Sequence, residues 1–215
     1  MSTPTMPALT AEDFARLTRT YYRHVMASEI SERPQADLDG AVRAHLALAA
    51  NRPQGTVKVR VYTPTPETDG WSAAGRTVVE IVTDDMPFLV DSVTAALTQA
   101  DRDIDLVVHP QVVVRRDVAG ALRGIEDSPG HDSTAPLPED GCPESWMHLE
   151  IDQVTPEEMA RIEAELRRVL RDVRDAVEDW QKMGEAALRA ADDLIGEEGM
   201  PGRDTDPEIA EAWEL

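Results

Sequence analysis

Residues 76–117 read RTVVEIVTDDMPFLVDSVTAALTQADRDIDLVVHPQVVVRRD and predict a strand, a helix and a second strand. The first strand, 78–82, is mostly apolar, which indicates that it is buried. Two aspartates follow, and Pro87 suits a first helical turn, because the missing N–H would have no helical partner there. Leu89, Val93 and Leu97 then recur at helical spacing, and the second strand runs from 104 to about 114.

Three further segments complete the pattern around this unit. Residues 57–62 and 145–151 alternate between apolar and polar side chains, which is typical of strands. Thr155-Pro156-Glu157-Glu158 combines a threonine cap, an early proline and a glutamate at the third position, so it predicts the start of a long helix. The apolar seam of that helix, 159–180, favours packing across a sheet over a short coiled coil, because Leu170 and Val177 widen it.

The order strand, strand, helix, strand, strand, helix predicts an α+β fold. We expect a ferredoxin-like or ACT-like sandwich, in which an antiparallel sheet carries helices on one face and the strand from Val57 lies at an edge. An N-terminal helical hairpin precedes it, with a first helix capped by Thr10 and a second from Gln35 to about Ala50. The predicted regions are the hairpin at 1–55, the α/β domain at 56–183 and an acidic, partly disordered linker or tail at 184–215.

The balance of charge limits the classes of partner. The chain has 42 acidic and 21 basic residues, a formal net charge of −21. Such a surface repels phosphates, so nucleic acids and anionic membranes are excluded as expected partners. The single cysteine, Cys142, permits no internal disulfide, and the N-terminus lacks the pattern of a secretory signal. These features predict a cytoplasmic protein.

The sequence contains neither of the common nucleotide-binding motifs. No two glycines are spaced two apart, as a dinucleotide fingerprint requires, and a P-loop is also missing. We therefore expect no cofactor and no catalytic residue in this chain. His109, His131, Asp132, Cys142 and His148 follow no standard zinc spacing, so no metal site is expected either.

Three blocks of sequence resemble a known family. They are DDMPFLVDSV at 84–93, DLVVHPQVVVRRD at 105–117 and ESWMHLEID at 144–152. Together they resemble the amino-terminal, ACT-like regulatory region of the large bacterial NAD-specific glutamate dehydrogenases. The resemblance implies a non-catalytic regulatory or assembly module of an oligomeric enzyme that converts glutamate and NAD to 2-oxoglutarate, ammonia and NADH. The alternative is a stand-alone ACT-like domain for protein interaction or amino-acid sensing, with no enzymatic parent.

The turn between the first strand and helix is the best local candidate for an effector site. It comprises Asp84, Asp85, Met86, Pro87 and Phe88. A carboxylate beside free helix N–H groups can bind the ammonium and carboxylate of an amino acid together, and the resemblance implies such a ligand at this turn. The alternative is that the two aspartates only cap the helix.

Arginines 115, 116 and 123 lie close together at the end of the second strand and just after it. Exposed ion pairs with acidic neighbours are the expected role, and a site for an anion or an amino-acid carboxylate is the alternative.

Overall fold

The structure is a computed structural model, and it describes residues 10–126, 138 and 140–197. Its helices are α1 (Ala11–Tyr21), α2 (Ala27–Ile30), α3 (Gln35–Ala49), α4 (Pro66–Asp69), α5 (Leu89–Gln99) and α6 (Pro156–Glu197). Its strands are β1 (Lys58–Tyr62), β2 (Thr77–Asp84), β3 (Ile104–Val108), β4 (Gln111–Arg116), β5 (Leu122–Glu126) and β6 (Cys142–Ile151).

The six strands form one antiparallel sheet in the order β1-β2-β6-β4-β5, and β3 also pairs with β6. The α+β, ACT-like prediction is confirmed, and β1 lies at the predicted edge. The long strand predicted from 104 to 114 is divided at His109-Pro110 into β3 and β4, which pair with opposite halves of β6. Pro110 has no N–H to donate to β6, so the regular pairing with β6 is interrupted at this residue.

The N-terminal helices cover one face of the sheet. Leu17 and Tyr21 of α1 and Leu46 of α3 share a buried cluster with Val82 of β2 and Trp146 of β6. Both N-terminal helices therefore place apolar side chains against the sheet. The short helix α2 between them was not predicted, since its four residues are too few for a periodic pattern to show.

The opposite face of the sheet lies beneath α5 and α6. Ile81 and Met147 directly adjoin Val82 and Trp146 of the first cluster, and Leu149 is two residues beyond Met147, so all three side chains point the other way and are buried. Helix α5 contributes Leu89, Val93 and Leu97 to the core, as its spacing predicted, and α6 contributes Ile162, Leu166, Leu170 and Val173. The burial of Leu170 agrees with a helix that packs across a sheet.

Helix α6 begins at the predicted capping box. The Glu158 N–H donates to Thr155 Oγ1 at 3.3 Å, and the Thr155 N–H donates to Glu158 Oε2 at 2.9 Å. Contacts divide the chain into two units, Met1–Arg174 and Asp175–Leu215, and α6 contributes residues to each. The boundaries predicted at 55/56 and 183/184 stay predictions.

Part of the predicted tail, 198–215, lies outside the described residues. Among the helices that the structure describes, none combines the length and the apolar character needed to cross a membrane.

Candidate functional site

The predicted effector turn connects the end of β2 to the start of α5. Asp84 is the last residue of β2, and α5 begins at Leu89, two residues later than Pro87 had indicated. Phe88 precedes the helix with a left-handed backbone (φ 69°), which explains the later start. Pro87 and Phe88 are exposed, whereas Leu89 is buried.

Asp84 is held by groups from three parts of the chain. Its Oδ1 accepts a hydrogen bond from Arg52 Nη2 at 2.8 Å, and its Oδ2 accepts from Arg174 Nη2 at 2.8 Å and from the Gly55 N–H at 3.0 Å. Partial burial alone would raise the pKa of this carboxyl, but the hydrogen bonds and positive charges of Arg174 and Arg52 lower it. Asp84 therefore joins the β1 approach, β2 and α6.

Asp85 makes a separate set of contacts. Its Oδ2 accepts from Gln111 Nε2 at 2.8 Å, and its own N–H donates to the Pro143 carbonyl at 3.2 Å. In the described part of the chain, no hydrogen bond joins either aspartate side chain to the first N–H groups of α5. The two carboxylates connect the turn to neighbouring strands and to α6, which differs from simple helix capping.

Glu144 lies at the centre of a buried network beside the turn. Its carboxylate accepts from Arg52 Nε at 3.0 Å and Nη2 at 2.6 Å, from Arg116 Nε at 2.6 Å and Nη2 at 2.9 Å, and from Trp146 Nε1 at 3.0 Å. The side chains of Glu144 and Arg52 are fully buried, and that of Arg116 is 7% exposed. Because Arg52 also bonds Asp84, the network connects β6, β4, β2 and the end of α3.

The three arginines singled out from the sequence have different roles. Arg115 pairs with Glu126 at 2.5 Å and Arg123 with Asp117 at 2.6 Å, and in both pairs the arginine is at least half exposed. These two agree with the expected surface ion pairs. Arg116 does not, because it is buried against Glu144. The expectation for Arg116 is wrong, since the partner lies 28 residues away and comes into contact only through β4–β6 pairing.

A second polar cluster lies between the N-terminal helices and the sheet. Glu80 of β2 pairs with Arg60 at 2.5 Å, and Glu150 of β6 accepts two hydrogen bonds from Arg33, at 2.5 and 2.8 Å. Burial would raise the pKa of Glu150, but the hydrogen bonds from His148 and Arg33 lower it to about 2. Burial dominates for Glu80, and its pKa is raised. Each buried carboxylate is thus matched by an arginine.

The same cluster contains the ligand types of a metal site. Atoms of His45, Glu80 and His148 lie within 4.8 Å of one another. His45 is already bonded at both nitrogens, Nδ1 to the Tyr21 hydroxyl at 2.8 Å and Nε2 to the Ile81 carbonyl at 3.1 Å. Burial and the nearby His148 lower the pKa of His45 well below its usual value, which favours the neutral ring. The bonds present are those of a satisfied polar core, so we assign no metal to the cluster.

The histidines and the cysteine considered in the sequence have separate settings. His109 Nε2 lies 2.6 Å from Ser145 Oγ, and His148 is buried, with 2% of its surface exposed. Cys142 is half-buried, and burial raises the pKa of its thiol. His131 and Asp132 lie outside the described residues.

Four buried polar residues were not predicted from the sequence: Glu144, Arg52, Glu80 and His45. The available signal was the alternation of side chains along the strands, in which every second residue faces the same side of the sheet. Glu80 in β2 and Glu144, His148 and Glu150 in β6 share a phase with Val82 and Trp146, and acidic residues on the inner face of a buried strand require buried cations. The sequence does not show which arginines supply them.

A comparison with known protein families shows which family this fold represents. The model of the family described as "Glutamate dehydrogenase, ACT1 domain" matches residues 17–166. The chain belongs to this family. The match begins within α1 and ends in the first third of α6, so it includes both polar clusters and the turn at 84–88, whereas Arg174 lies beyond it.

Two curated relatives show the extent of the similarity. The NAD-specific glutamate dehydrogenase of Halomonas elongata is 31% identical over 188 residues, 87% of this chain and 11% of the relative. The enzyme of the same name from Pseudomonas aeruginosa is 31% identical over 166 residues, 76% of this chain and 10% of the relative. The ACT1 domain thus spans about a tenth of the length of the relatives it matches. No solved structure matches it significantly.

Membership of this family identifies the chain as a regulatory N-terminal module.

Within this ACT1 domain, a cavity of about 230 Å³ lies between α5 and α6, with Leu97, Ile162 and Leu166 on its apolar side. None of the described residues that line this cavity belongs to the turn at 84–88. The turn and the cavity are therefore separate features of the domain.

Proposed function

We propose that this ACT1 domain is the amino-terminal regulatory and assembly module of a large NAD-specific glutamate dehydrogenase. The rest of that polypeptide would bind NAD and convert glutamate to 2-oxoglutarate and ammonia, in an oligomer that acts in the cytoplasm. The observation that carries the proposal is the ACT1 match together with its coverage, about a tenth of two NAD-specific glutamate dehydrogenases. The 1–55 segment, the 56–183 domain and the 184–215 tail would all belong to this module.

The geometry of the turn favours assembly over effector binding as the main role. Both oxygens of Asp84 are engaged by this chain's own groups, Arg52, Arg174 and the Gly55 N–H. A ligand's ammonium group would compete with these two arginines for Asp84. Both arginine contacts are charge-assisted hydrogen bonds, which are about twice as strong as neutral ones.

One observation favours an amino-acid effector at the turn 84–88. Phe88 is a bulky residue with φ 69°, and it is 55% exposed beside the exposed Pro87. Strained, exposed backbone of this kind concentrates at ligand clamps and switches. Effector binding at Asp84, Asp85, Met86, Pro87 and Phe88 is therefore the second proposal, and it is compatible with membership of the same enzyme.

Deletion in the parent enzyme tests the first proposal. The full enzyme and a version lacking residues 1–174 are compared by light scattering for oligomer mass and by NADH formation from glutamate. We expect the deletion to change the oligomer mass or the response to metabolites, and the isolated chain to form no NADH. If the truncated enzyme has the mass, rate and metabolite response of the full enzyme, the module is neither assembling nor regulatory.

Thermal melting of the isolated chain tests the second proposal. Binding at the turn should raise the melting temperature in a saturable way with one or more amino acids. At 100 times the dissociation constant, the ligand would add about 2.7 kcal/mol to the free energy of unfolding. Asp85→Ala should remove that shift, whereas Asp91→Ala, which removes an exposed carboxylate from α5, should keep it. If twenty amino acids at millimolar concentration produce no shift, the turn serves assembly alone.

A further inference from the structure

Two buried polar atoms in the ACT1 domain have no hydrogen-bond partner among the described protein atoms. They are Nε1 of Trp71, in the β1–β2 connection, and Nδ1 of His148, in β6. Both side chains are only 2% exposed. A buried polar atom without a partner costs roughly 1–3 kcal/mol, and nearly all such atoms in proteins are satisfied by protein or by ordered water.

Trp71 and His148 line the same cavity, together with Arg33, Asp37 and Glu150. The cavity leaves about 10 Å³ for the centre of a water molecule, which is close to the room that one water needs. The two rings lie 6.2 Å apart between centroids, so they are neighbours across this small cavity.

The bonding chemistry of the two atoms is complementary. Trp71 Nε1–H can only donate a hydrogen bond. His148 Nε2 lies 3.4 Å from Glu150 Oε1, a contact that suits the tautomer with its proton on Nε2. In that tautomer Nδ1 is an acceptor. The cavity then presents one donor and one acceptor, which a hydroxyl group satisfies.

The position of the indole is fixed by helix α3. A Cβ atom added at Gly40 would lie 2.3 Å from Trp71 Cβ, so the tryptophan packs directly on the helix backbone at that point. An indole seated in this way cannot turn its N–H toward solvent without moving α3.

We propose that the cavity is a binding site for one internal water, which accepts a hydrogen bond from Trp71 Nε1 and donates one to His148 Nδ1. Asp37 and Glu150 line the same cavity and carry carboxylate oxygens of the kind that its second hydrogen requires. The water would connect the β1–β2 connection to the central strand β6 beneath the N-terminal helices.

Nuclear magnetic resonance of the full chain, labelled with ¹⁵N at tryptophan, tests the site. The indole N–H of Trp71, assigned with Trp71→Phe, should show a cross-peak to a long-lived water. Trp146 is the internal control, since its buried indole donates to Glu144 Oε2 at 3.0 Å and should show none. Absence of the cross-peak at Trp71, or equal cross-peaks at both indoles, would overturn the proposal.

Crystal structures of the same chain and of Trp71→Phe give an independent test that distinguishes the occupants. We expect one water peak within about 3 Å of both atoms in the parent chain and its loss in the variant, with the surrounding backbone unchanged. A dry cavity, an anion or larger solute in the cavity, or a peak that persists in Trp71→Phe would each contradict the assignment. If Trp71→Phe fails to fold, the parent structure alone decides.

Discussion

Glu144→Gln is the most informative single change in the ACT1 domain, because Glu144 joins two arginines inside the sheet. Arg52 and Arg116 each donate twice to its carboxylate, and all three side chains are buried. Glutamine has nearly the same shape, but it is neutral and points an NH₂ group at one of the arginine donors. The variant therefore removes the compensating charge without leaving a cavity.

The expected loss follows from the contacts that remain. Breaking a buried ion pair by removing one partner typically costs about 3–5 kcal/mol. Arg52 keeps its hydrogen bond to Asp84, and Arg116 keeps its hydrogen bonds to the carbonyls of Ala49 and Gly120 at 2.9 and 2.8 Å. We therefore expect the free energy of unfolding to fall by about 3 kcal/mol, near the lower end of this range. This is a large part of a total stability of about 5–15 kcal/mol.

Urea denaturation measures this loss. With an m-value of about 2 kcal/mol/M, the midpoint of unfolding should fall by about 1.5 M. Glu165→Gln is the matched control, because it removes the same charge from an exposed pair with Arg168 and should shift the midpoint of unfolding far less. If Glu144→Gln loses no more than the control, the buried network is not what holds β6, β4 and the end of α3 together.

Three other predictions concern the pH response, the phase of α5 and the backbone of one turn. The pKa of Glu150 is lowered in the folded state from 4.5 to about 2. Its charge therefore stabilises the fold fully above pH 4.5, and this stabilisation is lost as the pH falls from 4.5 to about 2. Glu150→Gln should thus flatten the acid side of a plot of melting temperature against pH. Leu89→Asp should unfold or aggregate the chain, because Leu89 is 2% exposed. Asp91→Ala should change the melting temperature little, because Asp91 is exposed. Equal melting temperatures for the two variants would mean that the buried face of α5 is wrongly assigned. Gly120→Ala should destabilise by several kcal/mol in urea titrations, since φ is +86° and the added Cβ would lie 2.4 Å from a backbone nitrogen, and the control Gly184→Ala, with open space around it, should be neutral or mildly stabilising.

The elements of the ACT1 sheet could be predicted because local pattern determines them. Apolar runs and alternation located β1, β2 and β6, helical spacing located α5, and the capping box at Thr155 located the start of α6. Phe88 shows the limit of local reasoning. Nothing in its identity indicates a left-handed backbone, and that conformation moved the start of α5 past Pro87.

The candidate site was less predictable, because its bonds join residues distant in sequence. Arg52 and Glu144 are separated by 92 positions, and Arg33 and Glu150 by 117. A carboxylate in a buried strand indicates that a buried cation must pair with it. The sequence alone does not show which of the 21 basic residues supplies that cation. The pairing becomes determined only when the N-terminal helices pack across the strands.

These long-range ion pairs bear on the choice between assembly and effector binding. Arg174 near the end of the first unit and Arg52 after α3 both meet at Asp84, the first residue of the predicted effector turn. An ammonium group at Asp84 would compete with both arginines, so an effector that displaced one of them would loosen α6 or the N-terminal segment. For such an effector, binding at the turn and the attachment of these helices would be coupled, and by linkage each would weaken the other by the same factor. An effector that left both arginines in place would have to bind through Asp85 and the exposed Phe88 instead, and the Asp85→Ala comparison tests that route.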